Sequence, residues 1–400
     1  MQLLVAISGG SLLASCQRAA LEEASVPTLA DVADLAATHR AGATQLAAQP
    51  TNSATPAATA VSEDTPPSTP PAPSASPTNA PENAADRFPA RRDEESGILV
   101  THPQSRFYET RYRTAGPRPE LDRAAWQLEI NGWVGEPLTL GFDDLMQFEQ
   151  REVMRTLQCI SNPPGGSLIG NAFWTGVPLA AVLAQADIRT GAREIKMTAA
   201  DGYDTSIPIE LALADDSLLV YQMNGGPLPV KHGFPVRVLL ASRYGQKQPK
   251  WITGIEVITD NHLGYWEERG WSNDCFIQIN AIIWEPSGFS NPVSNEMTTL
   301  RGVAFADESG VASVEVSVDG GLSWTPAEMR PGPDPSVWTE WSADWLVPPV
   351  DQPQGLQLQV RATDGNGVIQ RAVTAGDGLL DTAFPNGSSQ IHEVVVVVNP

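Results

Sequence analysis

Aromatic residues decide where this 400-residue chain can build a core: no Phe, Trp or Tyr precedes Phe88, and all eleven Trp lie from Trp126 onward. A segment without aromatics buries too little apolar surface to offset the entropy lost on ordering. The stretch up to residue 90 is therefore expected to lie outside any packed domain. From there to the C-terminus the chain is long enough for two cores.

Within the leading stretch, Met1 to Ser15 is apolar and small and ends in Leu13-Ala14-Ser15-Cys16. This resembles a bacterial lipobox, in which the Cys is lipidated and becomes the mature N-terminus. No Lys or Arg precedes the run as a signal peptide requires, it falls short of the roughly 20 residues that span a bilayer, and no twin-arginine motif is visible. A true start codon further upstream would account for these gaps; an accidental Leu-Ala-Ser-Cys is the plain alternative. Pro50 to Pro81 is dominated by Pro, Ser, Thr and Ala, with nine prolines, a composition that makes an extended tether. The expected organisation is a truncated signal or lipobox-like segment at 1–16, a disordered tether at 17–90, one domain at 91–290 and a second at 291–400. It places the chain outside the cytoplasm, with membrane contact only through the N-terminal segment and Cys16.

The formal net charge is −22. Such a surface repels nucleic-acid phosphates and anionic headgroups and favours a basic docking partner, although many acidic surfaces only confer solubility. The three cysteines, Cys16, Cys159 and Cys275, are too few for a disulfide framework, and the absence of C-x-x-C-H leaves no c-type haem attachment in the chain. A Cys159–Cys275 disulfide is compatible with the sequence only if Cys159 has no other use.

The central stretch reads as mixed α+β. Trp126 to Gly132 alternates apolar and polar before a turn at Asn131-Gly132, and Val236–Leu240 and Trp251–Ile258 read as buried strands. Phe142–Phe148 has helical spacing behind two acidic residues, and Thr175-Gly-Val-Pro178 is expected to start a helix that buries Leu179, Val182 and Leu183. Thr156-Leu-Gln-Cys159-Ile-Ser-Asn-Pro-Pro-Gly-Gly166 sends a cysteine from a β-like run into a Pro/Gly loop, which exposes the sulfur and lets a bulky ligand approach the backbone. A thiolate is a soft, strongly donating ligand for a redox metal, while a lone Cys is more commonly a small core residue.

Leu157-Gln158-Cys159, with Asn162 three residues on, resembles the molybdenum-cysteine segment of the sulfite oxidase family of molybdopterin-dependent oxidoreductases. His232-Gly-Phe-Pro-Val-Arg237 is similar to that family's pterin-binding segment, and Lys250-Trp251 falls at the expected distance after Arg237. Asp201, ahead of Tyr203 and Ser206-Ile207-Pro208, fits the pterin-contacting Asp; Tyr221 to Gly225 resembles a further segment; Phe107-Tyr108 with Thr110 and Arg111 fits the chain leading into the pterin site. The resemblance covers roughly residues 100 to 285 in the right order. It implies a molybdenum-molybdopterin cofactor, Cys159 as metal ligand and catalytic residue, and cofactor contacts from Tyr108, Thr110, Arg111, Asn162, Asp201, His232, Arg237, Gln248, Pro249 and Lys250. The chemistry agrees, because a phosphate-bearing dithiolene needs cations and hydrogen-bond donors. Separately, each of these residues has a bland use as a satisfied core histidine or a solvated surface charge.

The sequence departs from the family where a substrate anion would bind. Pro163 or Pro164 stands for the arginine after Asn162, Thr110 for another (with Arg111 adjacent), and Trp271 for the active-site tyrosine. Losing two fixed cations from a partly desolvated site weakens dianion binding by several kcal/mol, which argues against sulfite; Trp266 and Trp271 then line an apolar pocket or simply pack. The C-terminal stretch reads as all β: Val314, Val316 and Val318 alternate into Asp319-Gly-Gly321, Leu356, Leu358 and Val360 into Asp364-Gly365, and five valines end at Val398. Those valines require a buried strand or form an aggregation hazard. The stretch resembles the family's immunoglobulin-like dimerisation sandwich, which implies a homodimer.

The expected activity is two-electron oxygen-atom transfer on a small-molecule substrate other than sulfite, with electrons exchanged with a separate carrier, a cytochrome or a membrane redox protein. Two alternatives stand beside it: a sulfoxide reductase running in the reductive direction, and a cell-surface binding lipoprotein whose central domain holds no cofactor.

Overall fold

In the computed structural model, which describes residues 92, 100–112, 116–288, 290–372 and 382–400, the alternating run after Trp126 becomes the first strand of a mostly β structure. The lipobox-like segment with Cys16 and the tether expected at 17–90 lie outside the described residues.

The central strands are β1 (Gln127–Gly132), β2 (Leu138–Gly141), β3 (Arg151–Gln158), β4 (Ile169–Pro178), β5 (Glu194–Ala199), β6 (Asp204–Pro208), β7 (Leu218–Met223), β8 (Gly226–Pro227), β9 (Arg237–Leu239) and β10 (Ile252–Ile258). One sheet has the order β2-β1-β10-β5-β6, with β1 and β10 parallel; a second runs β3-β4-β7-β8, with β9 also paired to β7. Side chains alternate faces along a strand, and β7 uses both faces of its sheet. Leu219 and Tyr221 join the core shared with β1, β5 and β10, while Leu218 and Val220 face a second cluster with Trp174, Phe107 and Phe234. In β9, Val238 points to the first core and Leu239 to the second. By the same alternation Arg237 is on the Leu239 side, over the ring of Trp174 at 5.4 Å.

Helix is scarcer than the α+β reading implies. Among the described residues the α-helices are Phe142–Leu145, Leu179–Leu183 and Ile209–Ala212, each about one turn, too short to persist without tertiary support. The helix expected from Thr175 starts later. Gly176, Val177 and Pro178 pair with Val220, Leu219 and Leu218 as the end of β4, and Pro178 caps the helix whose buried face is Leu179, Val182 and Leu183. Strand pairing captures residues that local spacing alone assigns to a helix.

The C-terminal strands are β11 (Asn280–Glu285), β12 (Met297–Phe305), β13 (Val311–Ser317), β14 (Thr325–Pro326), β15 (Glu328–Arg330), β16 (Thr339–Leu346), β17 (Gln354–Asp364) and β18 (His392–Val398). They form two four-stranded sheets, β11-β12-β16-β15 and β14-β13-β17-β18, whose facing residues share one apolar core. The five-valine run is an edge strand, not a fully buried one: Val396 and Val398 point inward, while Val395 and Val397 are exposed. No helix among the described residues is long and apolar enough to cross a membrane.

Candidate active site

The β3–β4 connection carries Cys159. Its backbone is closed by Cys159 N–H donating to Leu168 O (2.9 Å) and Asn162 N–H to Cys159 O (3.1 Å). The buried Asn162 side chain accepts the Leu168 N–H at 2.8 Å, so it shapes the loop and is not among the residues lining the adjacent cavity. Gly165 sits in the left-handed region (φ 69°), and a Cβ there would collide with the His392 imidazole of β18; the C-terminal half of the chain thus props the cysteine loop. Cys159 and Cys275 are both free thiols, which removes the disulfide alternative. The Cys275 sulfur donates to Ser272 O at 2.9 Å, and burial pushes its thiol up to about 12.

The half-buried Cys159 opens on a cavity of about 270 Å³, whose wall includes Tyr108, Thr110, Arg111, Asp201, His232, Arg237, Gln248, Pro249 and Lys250. Nine of the residues expected from the sequence therefore meet around one space with the cysteine. Arg237 is 4% exposed. Its guanidinium donates only to carbonyls, of Val238 at 3.4 Å and of His232 and Gln248 at 3.3 Å, and burial lowers it to about 10. No carboxylate among the described residues pairs with it. Lys250 donates to Thr110 O (2.8 Å) and Lys231 O (3.1 Å); burial and the nearby Arg237 lower it to about 7. His232 Nε2 lies 2.9 Å from Gln104 O. A carbonyl only accepts, so Nε2 carries the proton and Nδ1 is an acceptor. Burial, with the surrounding cations, lowers this histidine to about 3, so it is neutral at ordinary pH.

Other partners fix the frame. Gln248 accepts the Leu240 N–H and donates to Arg243 O; Pro249 O accepts the Val238 N–H. Asp201 accepts the Tyr203 N–H at 3.1 Å, and burial raises its carboxyl, partly opposed by that bond and by Lys250. Tyr108 is raised by burial and then by the neighbouring Cys159. Arg111 faces the cavity while donating to Gly116 O, 3.8 Å from Glu109. Trp266 and Trp271 both line the wall.

Sequence reasoning missed a buried ion pair next to the lining residue Gln246. Lys247, 1% exposed, pairs with the buried Glu267 at 2.6 Å and donates to Thr205 and Asn273. Glu267 also accepts from Gln246 and Thr205. These charges lie in Gly-Gln-Lys and Trp-Glu-Glu-Arg stretches that look like solvated loops, and no local signal marks either as buried.

The donor set fits an anionic, metal-carrying group. Among the described residues no cluster of three or more His, Cys, Asp or Glu is placed to hold a metal. The cavity also offers the buried Arg237 cation and, at Gln246, a buried Oε1 without a partner among the described residues.

Comparison with known proteins gives the same direction. The profile of the Oxidoreductase molybdopterin binding domain family matches residues 115–266. The uncharacterized oxidoreductase YuiH of Bacillus subtilis (strain 168) is 34% identical over 150 residues, covering 38% of this chain and 74% of that protein. The mitochondrial sulfite oxidase of Mus musculus is 29% identical over 328 residues, 70% of this chain and 59% of that protein, so the chain spans a little over half the length of this relative. The solved structure of the sulfane dehydrogenase SoxCD from Paracoccus pantotrophus has a TM-score of 0.63 at 21% identity, covering 83% of this chain and 95% of that one, a likeness of fold.

Proposed function

This chain belongs to the sulfite oxidase family of molybdopterin-dependent oxidoreductases, and on that premise we propose that it carries out two-electron oxygen-atom transfer on a small molecule other than sulfite. The observation that carries the reading is the buried Arg237 guanidinium, paired with no carboxylate among the described residues, lining the same cavity as Cys159. When bound, a molybdenum-molybdopterin group supplies the two-electron oxygen exchange.

Cys159 is the protein's metal ligand in this proposal, and its thiolate donates electron density to the metal. Arg237 and Lys250 hold the phosphate-bearing side of the cofactor, Arg237 through a planar fork suited to bidentate contact. His232 offers an acceptor at Nδ1, and Asp201 takes N–H groups of the pterin. Tyr108, Thr110, Arg111, Gln248 and Pro249 complete the enclosure, and Asn162 keeps the sulfur's loop in shape. Arg111 lines the same cavity, as do Arg237 and Lys250; prolines stand at 163 and 164, and Trp271 joins the lining.

Electrons pass to or from a separate carrier, a cytochrome or membrane redox protein, whose basic face suits the acidic surface. The two C-terminal sheets form an immunoglobulin-like sandwich that pairs two subunits. The chain works outside the cytoplasm, anchored through Cys16. Metal analysis tests the core of this reading: stoichiometric molybdenum in the wild type and its loss in Cys159→Ser support it, and wild-type protein without molybdenum overturns it. Rapid turnover of micromolar sulfite would overturn the exclusion of sulfite.

A further inference from the structure

The charged residues lining the cavity are unevenly placed. Arg111, Asp201, Arg237 and Lys250 all come from the 108–112, 201–203 and 232–250 segments, which also bring the neutral His232. The lining residues of the 157–161 and 266–271 segments, Cys159 among them, include no cation. Arg269, the basic residue of the 266–271 turn, is turned away: its guanidinium lies 3.6 Å over the Tyr265 ring and donates to Tyr265 O.

Trp271 itself is held firmly. It packs against the cluster of Ile160, Tyr244 and Cys275, and the Phe384 ring meets it edge-on at 5.2 Å and 81°. Ser272 N–H donates to Pro385 O at 3.1 Å, so the segment carrying Phe384 is fastened to the turn carrying Trp271. Phe384 remains 48% exposed. Phe384 thus extends the apolar surface of Trp271; a dianion placed against these two rings would lose hydration without a compensating charge.

Resting on the oxygen-transfer reading above, we propose that the substrate is an uncharged organic heteroatom compound bearing a flat apolar group that lies against Trp271, with Phe384 as the residue that positions that ring. The couple is R₂S + H₂O ⇌ R₂SO + 2H⁺ + 2e⁻, or its tertiary amine and N-oxide counterpart. One heteroatom–oxygen bond forms at the expense of two O–H bonds of water, and both electrons go to the separate one-electron carrier in two steps; the reverse direction takes them from it.

The test uses the molybdenum-loaded full chain with methyl phenyl sulfoxide, N,N-dimethylaniline N-oxide, dimethyl sulfoxide and sulfate as probes, reading Kd by calorimetry and KM by dye-coupled turnover. Either aryl probe should bind more tightly than dimethyl sulfoxide and sulfate, and their relative affinities distinguish sulfur from nitrogen. Trp271→Ala and Phe384→Ala should each weaken aryl binding by about threefold to tenfold, as expected for loss of an aromatic contact, and weaken dimethyl sulfoxide binding less, with molybdenum content measured alongside. Trp271→Phe keeps a flat face and should restore most of the preference, which separates recognition from misfolding. Tighter binding of sulfate, or an aryl-to-methyl ratio unchanged in both alanine variants, overturns the proposal while leaving oxygen transfer standing; wild-type protein free of molybdenum overturns both.

Discussion

Replacing Arg237 with Met should move the stability of the cofactor-free and loaded proteins in opposite directions. The guanidinium is buried against Trp174 with three long bonds to neutral carbonyls. Its lowering from 12.5 to about 10 corresponds to roughly 3 kcal/mol against the charged form. That cost is fully present below pH 10, where the side chain is charged both folded and unfolded. Methionine fills similar volume without it, so the cofactor-free variant should gain about 1–3 kcal/mol, less what the three carbonyl bonds contributed. In the loaded protein the same change removes a bidentate, charge-assisted contact worth about 1.5–3 kcal/mol per bond. Cofactor retention should fall by about two to four orders of magnitude. Thermal unfolding of protein made with and without cofactor biosynthesis, together with molybdenum content after dialysis, reads both effects. If Arg237→Met destabilises both forms equally, or retains molybdenum like the wild type, the guanidinium is an ordinary structural donor and the reasoning fails.

Three further outcomes rest on neighbouring geometry. Burial raises Asp307 to about 7, and its Oδ1 has no hydrogen-bond partner among the described residues. A raised carboxyl stabilises the fold below its unfolded value of 3.8 and loses that contribution as pH climbs through about 7, so Asp307→Asn should raise the urea midpoint at pH 8 and leave it nearly unchanged at pH 4; a rise of equal size at both would remove the titration argument. Burial lowers His102 to about 4, and lowers His232, together with nearby cations, to about 3; a depressed histidine stabilises above 6.5, and the benefit is lost as pH falls toward those values, so His102→Gln should flatten part of the acid-side decline in stability. Gly165→Ala forces a side chain into the left-handed region and against His392, which should cost about 1–2 kcal/mol from backbone conformation alone and raise alkylation of Cys159 in the cofactor-free chain, while Cys275 stays unlabelled; peptide mapping that finds Cys275 modified first would contradict this order.

Much of the candidate site could be read along the chain because its parts occur as compact blocks. Cys159 with its Pro/Gly loop, His232 to Arg237, and Lys250 each lie in short stretches, and the resemblance of those stretches, in order, to the sulfite oxidase family implied what chemistry they suit. Strand alternation at Gln127–Gly132 and Val311–Ser317 was equally local. The distribution of aromatics likewise marked where packing begins. What only the tertiary structure decided depends on contacts between distant segments. Thr175 to Pro178 became strand because β7 offered partners, and the final valines became an edge because no strand among the described residues pairs on their outer side. His392 came to rest on Gly165, more than two hundred residues away along the chain. Lys247 and Glu267 were drawn inside as a pair, and Phe384 was set against Trp271. Burial and electrostatic pairing are properties of the assembled neighbourhood, and a residue's own sequence surroundings do not carry them.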